Sequence, residues 1–422
     1  MRSRLLALSA AAALVLAACG GSDDAEPTDD TGTTDAPTDT TDAPVDTTAD
    51  TADTVAPTTE APAETAPPTT EAMLAEFETV DSGPYDIGVS TLTIGADTDR
   101  PLTVDVWFPI DDAGDAPLHQ YTLIPGVYYE SPAAVGADAS QIATDGPFPL
   151  VVYSHGSGGL RYIASSYTEA IASHGYIVVA PDHTGNTAVD QLVGTQVDFA
   201  VNALNRPNDV EAVINAMLDP TNVETGAFVA SVDPEEIAVT GHSFGGFTSL
   251  AMAGGYSNDL GTFAADPRVD AIIPLAPATG DDSGRLMSDA DLEAISVPTL
   301  VMVGTADEST PIDPNVTRIW DHSSSEPLYV AELVDARHES FTDLCSYQEF
   351  LPTLDTEVPE AIADTINDRA DVACSEDAMD IDRVDELTNT FAIAFLESVF
   401  RGGDMLTNET VVIPDDVGFM SR

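Results

Sequence analysis

The sequence predicts an α/β fold, a mainly parallel sheet with helices on both faces. Six short apolar runs carry the strands: Phe148 to Ser154, Tyr176 to Ala180, Ile237 to Thr240, Ala271 to Ala276, Thr299 to Val303 and Leu328 to Leu333. They read as strands buried on both faces, as in parallel sheets. Helical stretches fall between them, which is the alternation that builds crossover units. The residues with chemical potential follow the strands directly, and sites in such sheets form at the carboxyl ends of strands.

The front of the 422-residue chain is not of this kind. Met1-Arg2-Ser3-Arg4 is a short basic start, and Leu5 to Ala18 is an apolar stretch too short to span a bilayer comfortably. The pattern predicts a secretory signal over residues 1–18. Leu16-Ala17-Ala18-Cys19 resembles the bacterial lipobox, which implies lipid on Cys19 and an exported protein anchored to the cell envelope rather than spanning a membrane. Residues 19–75 read as a tether. Gly20 to about Thr70 is almost wholly Thr, Asp, Ala, Pro, Glu and Ser, and cannot bury enough apolar surface to offset chain entropy. Residues 76–422 are the expected globular domain.

Within it, Tyr85 to Ile94 and Leu102 to Phe108 alternate as strands and predict an antiparallel hairpin around Gly95 to Arg100. Asp111 to Asp145 gives no clear reading. A helix is predicted over Tyr162 to His174, closing at Gly175, and another over Asn208 to Leu218 with Pro207 near its first turn. Further helices are expected after the Ile237 strand (Phe247 to Gly254), at Pro314 to His322 and at Arg383 to Phe400.

The formal net charge is −60, from 73 acidic and 13 basic residues, every basic one an arginine. Such a field repels nucleic acid and anionic membrane surfaces, so neither is an expected partner of the folded domain. A monomer is expected, touching the membrane through the lipid alone. With Cys19 set aside, Cys345 and Cys374 remain, and an even pair in an exported chain predicts one disulfide. The segment it bounds, 345–374, is a candidate cap whose Phe350, Leu351, Leu354, Val358, Ile362 and Ile366 would pack over an acyl pocket.

The most specific signal is Gly241-His242-Ser243-Phe244-Gly245, which sits between a buried strand and a small-residue helix. Gly-x-Ser-x-Gly in that setting is a nucleophile elbow, where the turn leaves the serine projecting with strained backbone. An unassisted hydroxyl is a weak nucleophile at neutral pH, so Ser243 needs a base and the base needs an orienting acid. Past Ser243 stand His322 and His338. His322 falls within a helix, whereas His338 lies in the loop after the last strand, where the base belongs. The loop after Thr299 to Val303 ends in Asp307, our choice of acid; Asp313, Asp335 and Asp182 are rivals. The oxyanion should be met by the backbone amide of Phe244 and by one from His155-Gly156-Ser157-Gly158-Gly159, with Ser157 the first choice and Gly156 or Gly158 the alternatives. His155 then fixes the loop, and His242 is structural. No metal-ligand cluster, Walker-type phosphate loop or dinucleotide fingerprint is present in the sequence, so neither metal nor cofactor is expected.

Ser154-His155-Gly156-Ser157-Gly158-Gly159, Arg206-Pro207-Asn208-Asp209-Val210 and Gly241-His242-Ser243-Phe244-Gly245-Gly246, with Asp307 and His338, resemble the platelet-activating factor acetylhydrolase family and its bacterial dienelactone-hydrolase-like relatives. The resemblance covers roughly Pro84 to Phe400. It implies an α/β-hydrolase fold and hydrolysis of short or oxidised acyl esters without metal or cofactor. A typical dienelactone hydrolase uses a cysteine nucleophile, and here the residue is Ser243. The expectation is therefore a lipid-anchored serine esterase acting on short-chain acyl or phospholipid-type acetyl esters. The alternatives are a polyester or cutin hydrolase and a non-catalytic binding protein on the same fold.

Overall fold

A computed structural model describes residues 74–124, 126–281, 284–354 and 358–422. The expected signal, the Cys19 anchor and nearly all of the tether lie outside the described residues.

The strands, in chain order, begin with β1 (Asp86–Ile94), β2 (Leu102–Ile110), β3 (Leu118–Ile124), β4 (Val127–Gly136), β5 (Phe148–Ser154), β6 (Ile177–Pro181) and β7 (Val232–His242). They continue with β8 (Tyr256–Asn258), β9 (Gly261–Phe263), β10 (Ala271–Leu275), β11 (Gly280–Asp281), β12 (Gly284–Arg285), β13 (Thr299–Gly304), β14 (Leu328–Leu333) and β15 (Val417–Ser421). Eleven of them form one sheet in the order β15-β14-β13-β10-β7-β5-β6-β2-β1-β4-β3. The run from β14 to β6 is parallel. The remaining pairs, β8·β9 and β11·β12, are small hairpins apart from it.

The helices are α1 (Ser165–Ser173), α2 (Ala188–Val193), α3 (Phe199–Leu218), α4 (Phe244–Gly254), α5 (Asp289–Glu293), α6 (Ile312–His322), α7 (Leu344–Phe350), α8 (Glu360–Ala373) and α9 (Ile381–Phe400). Strand periodicity divides the core between the two faces of the sheet. Leu150 and Val152, Ile177 and Val179, Ile237 and Val239, and Val301 and Val303 pack with α3 and α4 on one side. Their neighbours Val151, Val178, Ala238 and Met302 pack with Tyr167 and Ile171 of α1 and Leu387, Phe391 and Phe395 of α9 on the other. Because side chains alternate across a strand, a continuous apolar run feeds both layers. This is the expected fold class, and the predicted β1–β2 hairpin forms with Val89 opposite Trp107.

One local expectation needs correction, and two further features had no reading from the sequence. The helix predicted from Asn208 starts at Phe199, which leaves Pro207 in its interior. Proline there removes a donor and crowds the preceding turn. The helix persists because Ala203, Arg206, Val210, Val213 and Met217 recur at helical spacing and are all buried, while Asn208 Nδ2 donates to the Leu204 carbonyl at 2.6 Å. Asp111 to Asp145 holds the β3–β4 hairpin. Its ties are long-range: Glu169 of α1 accepts from the hydroxyls of Tyr121 and Ser131 and from the amides of Ala133 and Ala134. Finally, β15 returns antiparallel along β14 and closes that edge.

Candidate active site

β5, β7, β13 and β14 each end at the same rim of the sheet, and the loops leaving them meet there. β7 runs into Ser243, whose φ of 57° and ψ of −113° lie outside the regions ordinary residues favour. Such strain costs on the order of 1–3 kcal/mol and persists only where surroundings over-determine it. Here the Ser243 amide donates to the Leu275 carbonyl at 2.8 Å. A Cβ on Gly245 would lie 1.7 Å from the Ser154 carbonyl oxygen, so only glycine lets the turn press against the end of β5. Ser243 is thus fixed at the amino end of α4, where backbone N–H groups and the helix dipole favour negative charge.

The structure brings together the three residues chosen from the sequence. Ser243 Oγ lies 2.9 Å from His338 Nε2, and His338 Nδ1 lies 2.7 Å from Asp307 Oδ2. A carboxylate can only accept, so Nδ1 carries the proton and Nε2 is left to receive one from Ser243. Asp307 follows β13 and is held by two amides, Ser309 and Thr310, both donating to Oδ1 at 2.8 Å. Burial alone would raise its pKa, but the hydrogen bonds from His338 and Thr310 outweigh that and hold it below the usual carboxylate value. The loops after β13 and β14 interlock, with Ala306 N donating to the Ala336 carbonyl at 3.0 Å. Gly304 permits this, since a Cβ there would meet that carbonyl oxygen at 2.1 Å.

The rivals are placed elsewhere. Asp182 is bound to Arg161 at 2.7 Å, and His322 lies 3.7 Å from both Asp289 and Glu293. Asp335 sits at φ 61°, with its amide on Thr305 Oγ1, and Asp313 interrupts the first turn of α6. Among the oxyanion candidates, the Gly158 amide is committed to the Asn186 carbonyl at 3.1 Å. Ser157 and Gly156 line the pocket with Ser243, and Phe244 opens α4. That pocket has a volume of about 200 Å³ and takes in Ile163, His242, Ser309, His338, Glu339, Thr342 and Arg369 as well.

Sequence reasoning missed several members of this site. Thr310 Oγ1 lies 2.9 Å from Asp307 Oδ2 and 3.1 Å from His338 Nδ1. His242 does more than fill space, since its Nε2 donates to the His338 carbonyl at 2.8 Å. Burial, and then the neighbouring His338 ring, lower its pKa to about 4. Cys345 and Cys374 are joined, as their even count suggested. From the segment they bound, Arg369 reaches the pocket, and the six apolar residues expected over it are not among its lining. Phe350 instead stacks edge-on against Tyr129, and Ile366 packs on the core, so the expected apolar cover is not formed by these residues.

Among the described residues no group of three or more His, Cys, Asp or Glu is disposed to hold a metal ion, and no helix is long and apolar enough to cross a membrane.

The family model for platelet-activating factor acetylhydrolase, isoform II, matches residues 126–198, which include the glycine-rich loop 155–159 and stop short of Ser243. A cutinase of Thermobifida alba is 27% identical over 49% of this chain and 55% of its own length. The platelet-activating factor acetylhydrolase of Bos taurus is 28% identical over 40% of this chain and 50% of its own. The chain thus spans about half the length of these curated relatives. Among solved structures, a ferulic acid esterase from Streptomyces cinnamoneus superposes with a TM-score of 0.58 at 21% identity, covering 81% of this chain and 98% of that one. At that identity the likeness speaks for the fold. The sheet order, the serine-bearing turn between β7 and α4 and the likeness to that structure show an α/β-hydrolase fold, and the sequence likenesses are to a cutinase and a platelet-activating factor acetylhydrolase.

Proposed function

We propose that the protein is a serine hydrolase of carboxylic esters. The observation that carries this reading is the continuous hydrogen-bonded line from Ser243 Oγ through His338 to Asp307, opening on a pocket lined by the glycine-rich loop. In the first half-reaction Ser243 Oγ attacks the ester carbonyl carbon while His338 Nε2 takes its proton. The oxyanion so formed is met by the amides of Phe244 and Ser157. Collapse breaks the bond to the alcohol oxygen, which leaves with the proton from His338. In the second, water gives its proton to His338, attacks the acyl-enzyme and releases the acid with Ser243 restored. Asp307 orients the imidazole and stabilises its cationic form.

A pocket of about 200 Å³ is small for a ligand site and suits a short acyl group. The likenesses to platelet-activating factor acetylhydrolases support acetyl or other short esters as substrates. The front sequence supports export and a lipid anchor on Cys19. Membrane association of the full chain that is lost in Cys19→Ala would support the anchor, and association that survives would refute it.

The test of the central reading is a panel of p-nitrophenyl esters from acetate to palmitate, run with the parent and with Ser243→Ala. Turnover highest on the short esters and lost by several orders of magnitude in the variant is expected. Equal turnover in both would sink the mechanism, and no turnover in the parent would favour a binding protein.

A second reading, a polyester hydrolase, draws on the cutinase likeness and on one structural feature. Val189, Leu192, Val193 and Phe199 are all more than half exposed in a short stretch. Phe199 also stacks on Phe244 with ring centres 4.6 Å apart. An apolar rim continuous with the catalytic turn suits an insoluble ester surface. Release of soluble acid from a polyester film by the parent and not by Ser243→Ala would establish it.

A further inference from the structure

Behind the glycine-rich loop, Arg206 of α3 is wholly buried. Its hydrogen-bond acceptors are uncharged: Asn186 Oδ1 at 2.9 Å, Ser154 Oγ at 3.2 Å, the His155 carbonyl at 2.6 Å and the Gly156 carbonyl at 3.0 Å. Burying a cation without a directly bonded carboxylate is costly, and stability alone gives little reason to keep one there. Burial lowers its pKa to about 9, which leaves it a cation at neutral pH.

The position of those acceptors is informative. The Gly156 carbonyl belongs to the same peptide unit as the Ser157 amide. That oxygen also receives the Gly159 amide at 3.1 Å and lies 2.7 Å from His155 Nδ1. His155 Nε2 accepts from the His183 amide at 3.1 Å, so the ring proton is on Nδ1 and points to Gly156. Three donors therefore hold one carbonyl from behind the loop. In a trans peptide the C=O and N–H point in opposite directions, so the Ser157 N–H is turned the other way, towards the pocket that Ser157 shares with Ser243. The same guanidinium lies over the Phe244 ring, its Cζ 4.6 Å from the centroid.

A second Ser-His-Asp line stands behind Arg206. Ser154 Oγ lies 2.8 Å from His183 Nε2, and His183 Nδ1 lies 2.9 Å from Asp209 Oδ2. Ser154 and His183 are fully buried, and Asp209 almost so, which leaves the line without access to substrate. Asp209 is bridged in turn by two Arg100 nitrogens, Nε at 2.6 Å and Nη2 at 2.7 Å. Asp209 fixes the proton on His183 Nδ1, and His183 Nε2 accepts a hydrogen bond from the Ser154 hydroxyl. The Ser154 lone pairs are thereby left for Arg206.

We propose that Arg206 is a positioning residue that sets both oxyanion donors, through the Gly156–Ser157 peptide on one side and the Phe244 ring on the other, and that the buried Ser154–His183–Asp209 line holds Arg206 in register. This rests on the esterase reading given above. Arg206 touches no reacting atom, so its loss should appear in transition-state binding rather than in substrate binding.

The experiment compares the parent with Arg206→Gln and Arg206→Lys on p-nitrophenyl acetate. Sites are counted by burst titration, and the affinity of a trifluoromethyl ketone, whose serine adduct carries an oxyanion, is measured on the same preparations. Removing an oxyanion donor outright costs about 100- to 1,000-fold in kcat. Loosening one should lower kcat per titrated site by about 10- to 100-fold on the same scale, with ketone affinity falling in parallel and KM nearly unchanged. Lysine keeps the charge but lacks the planar fork that spans two carbonyls, so it should not rescue. A purely structural role would lower the fraction of active sites and leave kcat per site and ketone affinity as in the parent, which would overturn the proposal. Should neither Arg206 variant fold, Ser154→Ala decides. It keeps the guanidinium but removes one acceptor, and the same parallel loss in smaller measure is expected, parental values refuting the proposal. A parent without esterase activity would instead remove the underlying reading.

Discussion

His242 Nε2 donates to the carbonyl oxygen of His338 across 2.8 Å, so the residue beside the proposed nucleophile holds the backbone of the proposed base. The pKa of His242 falls from 6.5 to about 4, chiefly through burial. Between those values the unfolded chain binds a proton that the folded chain refuses. His242 therefore contributes full stability above about pH 6.5 and loses it as the pH falls towards 4, by roughly 3 kcal/mol in all. Gln at this position keeps an amide donor but does not titrate. His242→Gln should show a smaller loss of stability between pH 6.5 and pH 4 than the parent, measured by urea unfolding at both values. Equal losses would refute the assignment.

Gly245 offers a steric test that does not depend on function. With a Cβ placed 1.7 Å from the Ser154 carbonyl oxygen, Gly245→Ala must push the elbow away from β5. Overpacking of a rigid site costs about 1–3 kcal/mol and sometimes more. The variant should unfold at lower denaturant concentration and lose activity together with stability. Unchanged stability would mean that the turn and strand end do not abut as described.

The legibility of the chain follows the range of the interactions concerned. β5, β13, β14 and the elbow were readable because a strand buried on both faces needs a continuous apolar run, and a tight turn needs small residues at fixed spacing. Ser243, Asp307 and His338 could be selected because each follows such a strand. The β3–β4 hairpin was not readable, because its anchor is Glu169, more than thirty residues away, and its own burial pattern is sparse. The extent of α3 was hidden by Pro207, whose disruption is offset by Asn208 and by burial of the helix face. Arg206 and Asp209 stand in the Arg206-Pro207-Asn208-Asp209-Val210 motif, yet nothing local says that one guanidinium reaches Ser154, His155 and Gly156 at once. An arginine within an otherwise apolar helix face was the signal available.

Asp307 and Thr310 should separate in their effects. Asp307→Asn puts a donor amide where Oδ2 accepts the His338 proton, which favours the wrong tautomer. By analogy with serine-protease triads the expected loss in kcat is about 10,000-fold, with the fold retained. Thr310→Val removes a hydroxyl 2.9 Å from the same oxygen while two backbone amides remain on Oδ1. One hydrogen bond to a charged group is worth about 1.5–3 kcal/mol, so a loss of roughly 10- to 100-fold is the upper range for this variant. Single-turnover rates on a short ester, with circular dichroism as the fold control, would check both. A Thr310→Val loss as large as that of Asp307→Asn would show that the hydroxyl, not the carboxylate, orients His338.

The Cys345–Cys374 link ties α7 to the end of α8 across a sequence separation of 29. Closing a loop of that size is worth about 3–4 kcal/mol in the chain-entropy model, so Cys345→Ser with Cys374→Ser should unfold at lower urea concentration. The consequence for substrate choice runs through Arg369. This residue of α8 lines the pocket, with Nη2 3.5 Å from the Ser157 carbonyl and Nε 3.8 Å from Glu339 Oε1. Both contacts are long, so the side chain is held at the rim mainly by where α8 places it. Freeing α8 should let Arg369 leave the rim, and Arg369→Ala in the disulfide-bonded protein should mimic the change at the pocket without the loss of stability. Both variants are therefore expected to raise the rate on bulky acyl esters relative to acetate, while only the double serine variant unfolds more readily. A double serine variant that is less stable but keeps the parental ratio of rates would reduce the link to a staple for stability. A matching ratio change in the two variants would assign α8 to substrate selection.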